Sequence, residues 1–175
     1  MARLRPGWAA IFSVLVLAAP AGAGVLDPSP DAVVGPPAPA VHAGPVRFVA
    51  PLDARIGSPF GRRWGRLHAG IDIEGWQRTD VHAAAAGVVT RVGWLPGYSG
   101  YGLVVVVRHT PTLVTMYAHL ARSFVRKGDR VKAGQHIATA GCTGSCFGTH
   151  LHFEVHVRGK PVNPMRWLHG KLSLR

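Results

Sequence analysis

Beyond residue 87 the chain is divided into short runs of β-branched and aromatic residues separated by glycine, proline and aspartate, a punctuation that leaves no room for a helical core. The runs are Val88 to Leu95, Tyr101 to His109, Thr112 to Leu120, His136 to Ala140 and His150 to Val157; the breaks include Pro96-Gly97, Lys127-Gly128-Asp129 and Ala133-Gly134. Side chains branched at Cβ lose rotamer freedom in a helix and pack well on a pleated strand. The continuous run Leu103-Val104-Val105-Val106-Val107 does not alternate, which predicts a strand buried on both faces. With 175 residues, 47% of them hydrophobic, the chain can build one domain with a real core but not two. The expected fold class is all-β, a single domain rich in antiparallel sheet.

Before that domain the composition changes twice. Arg3 and Arg5 precede an uncharged apolar run from Trp8 to Ala19, then Pro20 and Ala21-Gly22-Ala23, the layout of a secretory signal cleaved after residue 23. The alternative is a retained anchor, because the charge-free stretch continues to Leu26 and approaches the roughly 20 residues of a spanning helix. Residues 24–45 are rich in proline and alanine and read as a semi-rigid linker. The folded unit is expected over 46–168, with a basic tail at 169–175.

Strand alternation gives the first chemical clue. In Gly148-Thr149-His150-Leu151-His152-Phe153-Glu154-Val155, His150 and His152 point to one face while Leu151, Phe153 and Val155 point to the other. Two imidazoles on one strand can serve as two ligands, or as a ligand and a base. Leu67-His68-Ala69-Gly70-Ile71-Asp72 adds a histidine and a carboxylate four apart, with Gly70 expected to let the backbone turn between them. Tyr117-Ala118-His119-Leu120 ends another strand in a histidine, and alternation places Tyr117 on the His119 face. Four imidazoles and a carboxylate are enough for a metal site with catalytic partners, since catalytic zinc takes three protein ligands and keeps one position open.

The H-x-x-x-D, Y-A-H-L and H-L-H-F-E elements, in this order and spacing, resemble the M23 family of lysostaphin-type zinc metallopeptidases, which cut peptidoglycan peptides. The similarity runs from about Ser58 to Trp167 and includes Ser58-Pro59-Phe60-Gly61-Arg62-Arg63, Ala85-Ala86-Gly87-Val88-Val89, Gly100-Tyr101-Gly102 leading to His109, and Val125 to Gln135. It implies a lysostaphin-type β-sandwich with an open groove and one zinc ion bound by His68, Asp72 and His152. His119 and His150 would then be the catalytic residues, flanking the attacked carbonyl. Without an H-E-x-x-H helix there is no glutamate base beside two helical ligands, so these histidines are the available proton acceptors. The chain departs from the family pattern at Leu103, where a polar residue is usual, at 75–82, which lack the usual Gly-Thr-Pro-Val run, and in the short loop between Arg62 and His68. None of these touches the five site positions.

The remaining polar residues are placed around that set. His109, at a strand end, is a candidate supporting residue, and Glu154 is expected behind the site or at its rim. His42, His82, His136, His156 and His169 read as structural or solvated. Cys142 and Cys146 are expected to pair, since exported proteins oxidise nearby cysteines; closing so short a loop contributes about 2 kcal/mol, and thiolate ligation of the metal is the alternative. The formal net charge of +12 suits an anionic partner. The expected partners are peptidoglycan peptides and anionic wall polymers, with no nucleic acid, membrane contact only during export, and a secreted, wall-associated monomer. Two further readings stand beside the enzyme: a non-catalytic module that binds wall and regulates another hydrolase, and a glycosidase drawing on Asp53, Asp72, Glu74, Asp80, Asp129 or Glu154.

Overall fold

The computed structural model describes residues 46–168; the segments expected to be signal, linker and tail, with His42 and His169, lie outside the described residues. Twelve strands follow in order: β1 (Ile56–Ser58), β2 (Gly61–Arg63), β3 (Arg66–His68), β4 (Ile71–Glu74), β5 (Asp80–His82), β6 (Gly87–Trp94), β7 (Leu103–Arg108), β8 (Leu113–Ser123), β9 (Arg130–Val131), β10 (His136–Ala140), β11 (His150–Val157) and β12 (Lys160–Val162). The only helical pieces among the described residues are two three-residue 3-10 turns, Ser99–Tyr101 and Pro164–Arg166. The protein is all-β and its strand pairs are antiparallel, as the punctuation of the chain requires.

One large sheet runs β1-β4-β11-β8-β7-β6-β9, with β12 on β11, while β2 and β3 form a separate hairpin. The long strand β8 joins two regions of that sheet. Its first part, Leu113 to Ala118, lies against β11, and its last part, Leu120 to Ser123, pairs with β10, which in turn pairs with β5. The β10 and β11 bounds coincide with the runs read from sequence. Tyr101 is a correction: it belongs to a 3-10 turn, and β7 starts only at Leu103, because Gly102 at φ 65 breaks the extended backbone before it.

The run Val104 to Val107 is buried on both faces, as expected, and Leu103 is partly buried. Val105 and Val107 join the main core with Tyr117, Leu151 and Phe153, whereas Val104 and Val106 form a second cluster with Met116 and Ala118. Leu95, Tyr98 and Tyr101 cover that second cluster. Two fully apolar layers explain why this strand does not alternate.

Two local expectations are overturned. Gly70 has no left-handed backbone; it is required by close approach, since a Cβ there would collide with the Phe153 carbonyl of β11 and the Glu154 side chain. Glycine lets β4 lie against β11, which brings His152 opposite Asp72. Tyr117 does not share the His119 face. It pairs with Phe153, is fully buried against that ring at 5.3 Å, and accepts a hydrogen bond from the Ala84 amide at 2.7 Å. The cause is His119 itself, whose φ of 59° breaks the strand alternation at a register shift.

Candidate metal centre

Four strands deliver the polar cluster. His68 ends β3, Asp72 lies on β4, His150 and His152 lie on β11, and His119 sits on β8 beside them. Register does the alignment: His152 is opposite Asp72 on one side and Ala118 on the other. The structure therefore brings together all five residues singled out from sequence. They line one open groove of about 900 Å³.

Within the groove, His68, Asp72 and His152 place one ligand atom each within 4.8 Å of one another. Asp72 Oδ1 is 3.0 Å from His68 Nε2 and 2.8 Å from His152 Nδ1, and the two nitrogens are 3.1 Å apart. Their tautomers follow from their outer partners. His68 Nδ1 donates to the Pro59 carbonyl at 2.7 Å, so in the neutral ring Nε2 is a bare lone pair. His152 Nε2 lies 2.9 Å from Glu154 Oε1 and donates to it, so in the neutral ring that a cation would select, Nδ1 is bare. Three lone pairs, one of them anionic, thus converge on a single place. Such an arrangement demands positive charge, and two imidazoles with a carboxylate are a fitting zinc donor set.

The electrostatics carry the same message. Burial disfavours a charged His152, but its bonds to Asp72 and Glu154 prevail and bring the imidazole up to about 9. Burial likewise opposes ionisation of Asp72, yet His152 and His68 hold its carboxyl far below the usual range. Glu154 is 1% exposed, and despite burial its bonds to His152 and His156 keep its carboxyl down to about 2. The Tyr101 hydroxyl donates to it at 2.7 Å, and His156 Nε2 lies 2.5 Å from its second oxygen.

Glu154 is accordingly not a rim group. It holds His152 from behind, and the strand alternation that places residues 150, 152 and 154 on one face pointed to it, since β11 continues to Val157. Glu154→Gln is expected to weaken zinc binding about 10- to 100-fold, measured by competition with a chromophoric chelator; unchanged affinity would refute the role. Arg63, which sequence reasoning did not single out, donates from Nη2 to Asp72 Oδ2 at 3.2 Å and also bonds the Ser58 hydroxyl. No residue pattern flags a hairpin arginine folding back onto a carboxylate nine positions on. His109 lies within the core. It is fully buried, bonds the Ala86 carbonyl at 2.9 Å and the Thr115 hydroxyl at 2.8 Å, and packs on Phe48.

His119 and His150 stand beside the triad, with ring centroids 4.6 Å apart. His119 Nδ1 donates to the Thr143 carbonyl at 2.8 Å and His150 Nδ1 to the Gly148 carbonyl at 2.7 Å, so each turns a bare Nε2 away from its anchor. His150 Nε2 is 3.7 Å from Asp72 Oδ1. Burial pushes the His119 imidazole below its ordinary value. Cys142 and Cys146 form a disulfide in the loop that supplies both carbonyls, so they are not thiolate ligands. Around the mouth stand exposed Trp64 and Leu67 on the β2–β3 hairpin, and Phe147 on the disulfide loop.

A groove on an antiparallel sheet thus holds a His/Asp/His donor set with two further imidazoles beside it. The chain belongs to peptidase family M23, whose model matches residues 66–164. Over 118 residues it is 43% identical to the DD-carboxypeptidase/endopeptidase Mpg of Neisseria meningitidis, covering 63% of this chain and 26% of that protein. It is 39% identical over 118 residues to the murein hydrolase activator NlpD of Escherichia coli, covering 67% of this chain and 30% of that one. Among solved structures, a zinc containing peptidase from Vibrio cholerae matches with a TM-score of 0.62 and 37% identity, over 68% of this chain and 39% of its own. The chain thus spans about a quarter to a third of the length of the curated relatives it matches.

Proposed function

We propose that this domain is a zinc-dependent endopeptidase that hydrolyses peptide bonds in peptidoglycan cross-links or stem peptides outside the cytoplasm. The observation that carries the reading is the complete set in one groove: three converging lone pairs on His68, Asp72 and His152, and two bare Nε2 atoms on His119 and His150 beside them. Zinc held there would supply Lewis acidity, polarising a peptide carbonyl and acidifying a water. One of the two flanking imidazoles accepts the proton of the attacking water at Nε2. The other, carrying a proton, stabilises the oxyanion and serves the leaving amine. Trp64, Leu67 and Phe147 offer apolar contact area on the two walls, and a disulfide fits an oxidising compartment.

A second reading is favoured by the relatives named as hydrolase activators: a module that binds wall and stimulates another enzyme. Site completeness separates the two, because a binding module does not need the bare Nε2 atoms. A glycosidase fits less well. Its general acid needs a raised pKa, whereas Asp72 and Glu154 are both lowered and Glu74 is paired with Arg55 at 2.8 Å.

Purified protein incubated with peptidoglycan is expected to release new amino termini and no new reducing ends, and a chelator should abolish the release, with zinc restoring it. Release that survives both chelation and His150→Ala would reject the mechanism. Wall binding without release, together with stimulation of an added hydrolase, would establish the activator reading.

A further inference from the structure

The loop between β10 and β11 does more than connect. At one end the Thr143 carbonyl accepts from His119 Nδ1 at 2.8 Å; at the other the Gly148 carbonyl accepts from His150 Nδ1 at 2.7 Å. Thr143 is itself tied down twice. Its hydroxyl donates to the Leu120 carbonyl at 2.8 Å and accepts from the Leu103 amide at 3.0 Å. The Ser145 amide reaches the Gly100 carbonyl at 2.9 Å, and any Cβ on Gly102 would collide with Thr143. The Cys142–Cys146 disulfide closes the chain around Thr143 and ends two residues before Gly148.

The sulfur of Cys146 occupies a telling position. It lies 2.9 Å from the Gly148 carbonyl oxygen that holds His150, and 3.8 Å from His150 Nδ1. A disulfide sulfur carries no hydrogen, so the carbonyl is left to the imidazole. A thiol at the same place is a donor, and would compete for that oxygen. Cys142 is an exposed residue.

We propose that the disulfide-closed loop Cys142 to Gly148 is the positioning element that locks both flanking imidazoles in the Nδ1–H form, and that reduction by a dithiol lowers turnover while leaving the metal cluster intact. The exchange is balanced: one thiolate of the dithiol attacks Cys142 Sγ and Cys146 Sγ leaves as thiolate. The second thiol of the reagent then displaces Cys142, giving an oxidised reagent and two protein thiols. The freed Cys146 S–H takes the Gly148 carbonyl, His150 loses its anchor, and the loop bearing Thr143 loses its closure. His68 and His152 keep their own anchors, the Pro59 carbonyl and Glu154, and Glu154 is bonded to Tyr101, His152 and His156 rather than to the loop. The effect on turnover rests on the peptidase reading above; the effect on tautomers rests on geometry alone.

The test uses the full chain, oxidised, reduced with a dithiol, reoxidised, and as the double variant Cys142→Ser with Cys146→Ser. Long-range 1H–15N spectra are expected to show His119 and His150 as single Nδ1–H tautomers in the oxidised protein and as mixtures after reduction, with zinc per chain unchanged. On a soluble peptidoglycan peptide, kcat should fall by about 100-fold with KM within a few-fold, and recover on reoxidation. Unaltered tautomers after verified reduction would overturn the proposal whatever the activity. So would zinc loss in step with reduction. Tautomers that shift in a protein without peptidase activity would uphold the positioning role and remove the peptidase reading instead.

Discussion

Asp72→Ala is expected to yield a folded protein that binds no zinc at micromolar concentration and has no measurable peptidase activity. Asp72 Oδ1 is the shared partner of His68 Nε2 and His152 Nδ1, and it is the only negative charge in the donor set. Without it, two neutral nitrogens 3.1 Å apart face one another, and Arg63 is left with its guanidinium beside the place a cation must occupy. Loss of an outer partner already weakens metal binding about 10- to 100-fold, and loss of a ligand must exceed that. The core is not disturbed, because Ile71 and Ile73 carry the buried face of β4 and are both fully buried. Metal content after dialysis against buffered zinc gives the direct reading. Thermal melts give the linked one: zinc should raise the midpoint of the natural protein and leave that of the variant unmoved. Stoichiometric zinc in Asp72→Ala would remove Asp72 from the donor set.

Much of this site was legible because it is written in strand alternation. His150 and His152 share a face since β11 is regular from end to end, and β10 and β11 begin and end where their β-branched runs do. What could not be read depends on contacts across strands. Gly70 is demanded by the Phe153 carbonyl, a residue far along the chain, and its neighbours give no hint of that approach. Arg63 meets Asp72 only because the β2–β3 hairpin folds over β4's polar end. The strands of two to four residues, such as β1, β5 and β9, are too short to carry a period and exist because a neighbour supplies their hydrogen bonds. Tyr117 was misplaced by the same rule that placed His152, since alternation holds only where backbone dihedrals stay extended.

That exception leads to a residue whose loss should lower turnover without loss of metal. His119 adopts φ 59°, a conformation that costs a non-glycine residue roughly 1–2 kcal/mol, and the fold retains it where the left-handed backbone delivers an imidazole to the groove. His119→Ala is expected to keep zinc at one per chain and to lower kcat by about 10²- to 10⁴-fold, the range for loss of a positioned proton-transfer group, with KM little changed. His150→Ala should behave alike. The double variant should be scarcely slower than either single one, because a proton acceptor and an oxyanion stabiliser that work in the same step act as a unit, and losing either forfeits most of what both supply. The backbone supplies an independent check: His119→Gly should match His119→Ala in turnover yet be more stable by about 1 kcal/mol in denaturant unfolding, since glycine adopts the left-handed region without strain. If His119→Ala loses its metal, His119 is a ligand and the division of roles fails. If it keeps both metal and turnover, the strained backbone at 119 serves packing alone, and the proton must move through His150.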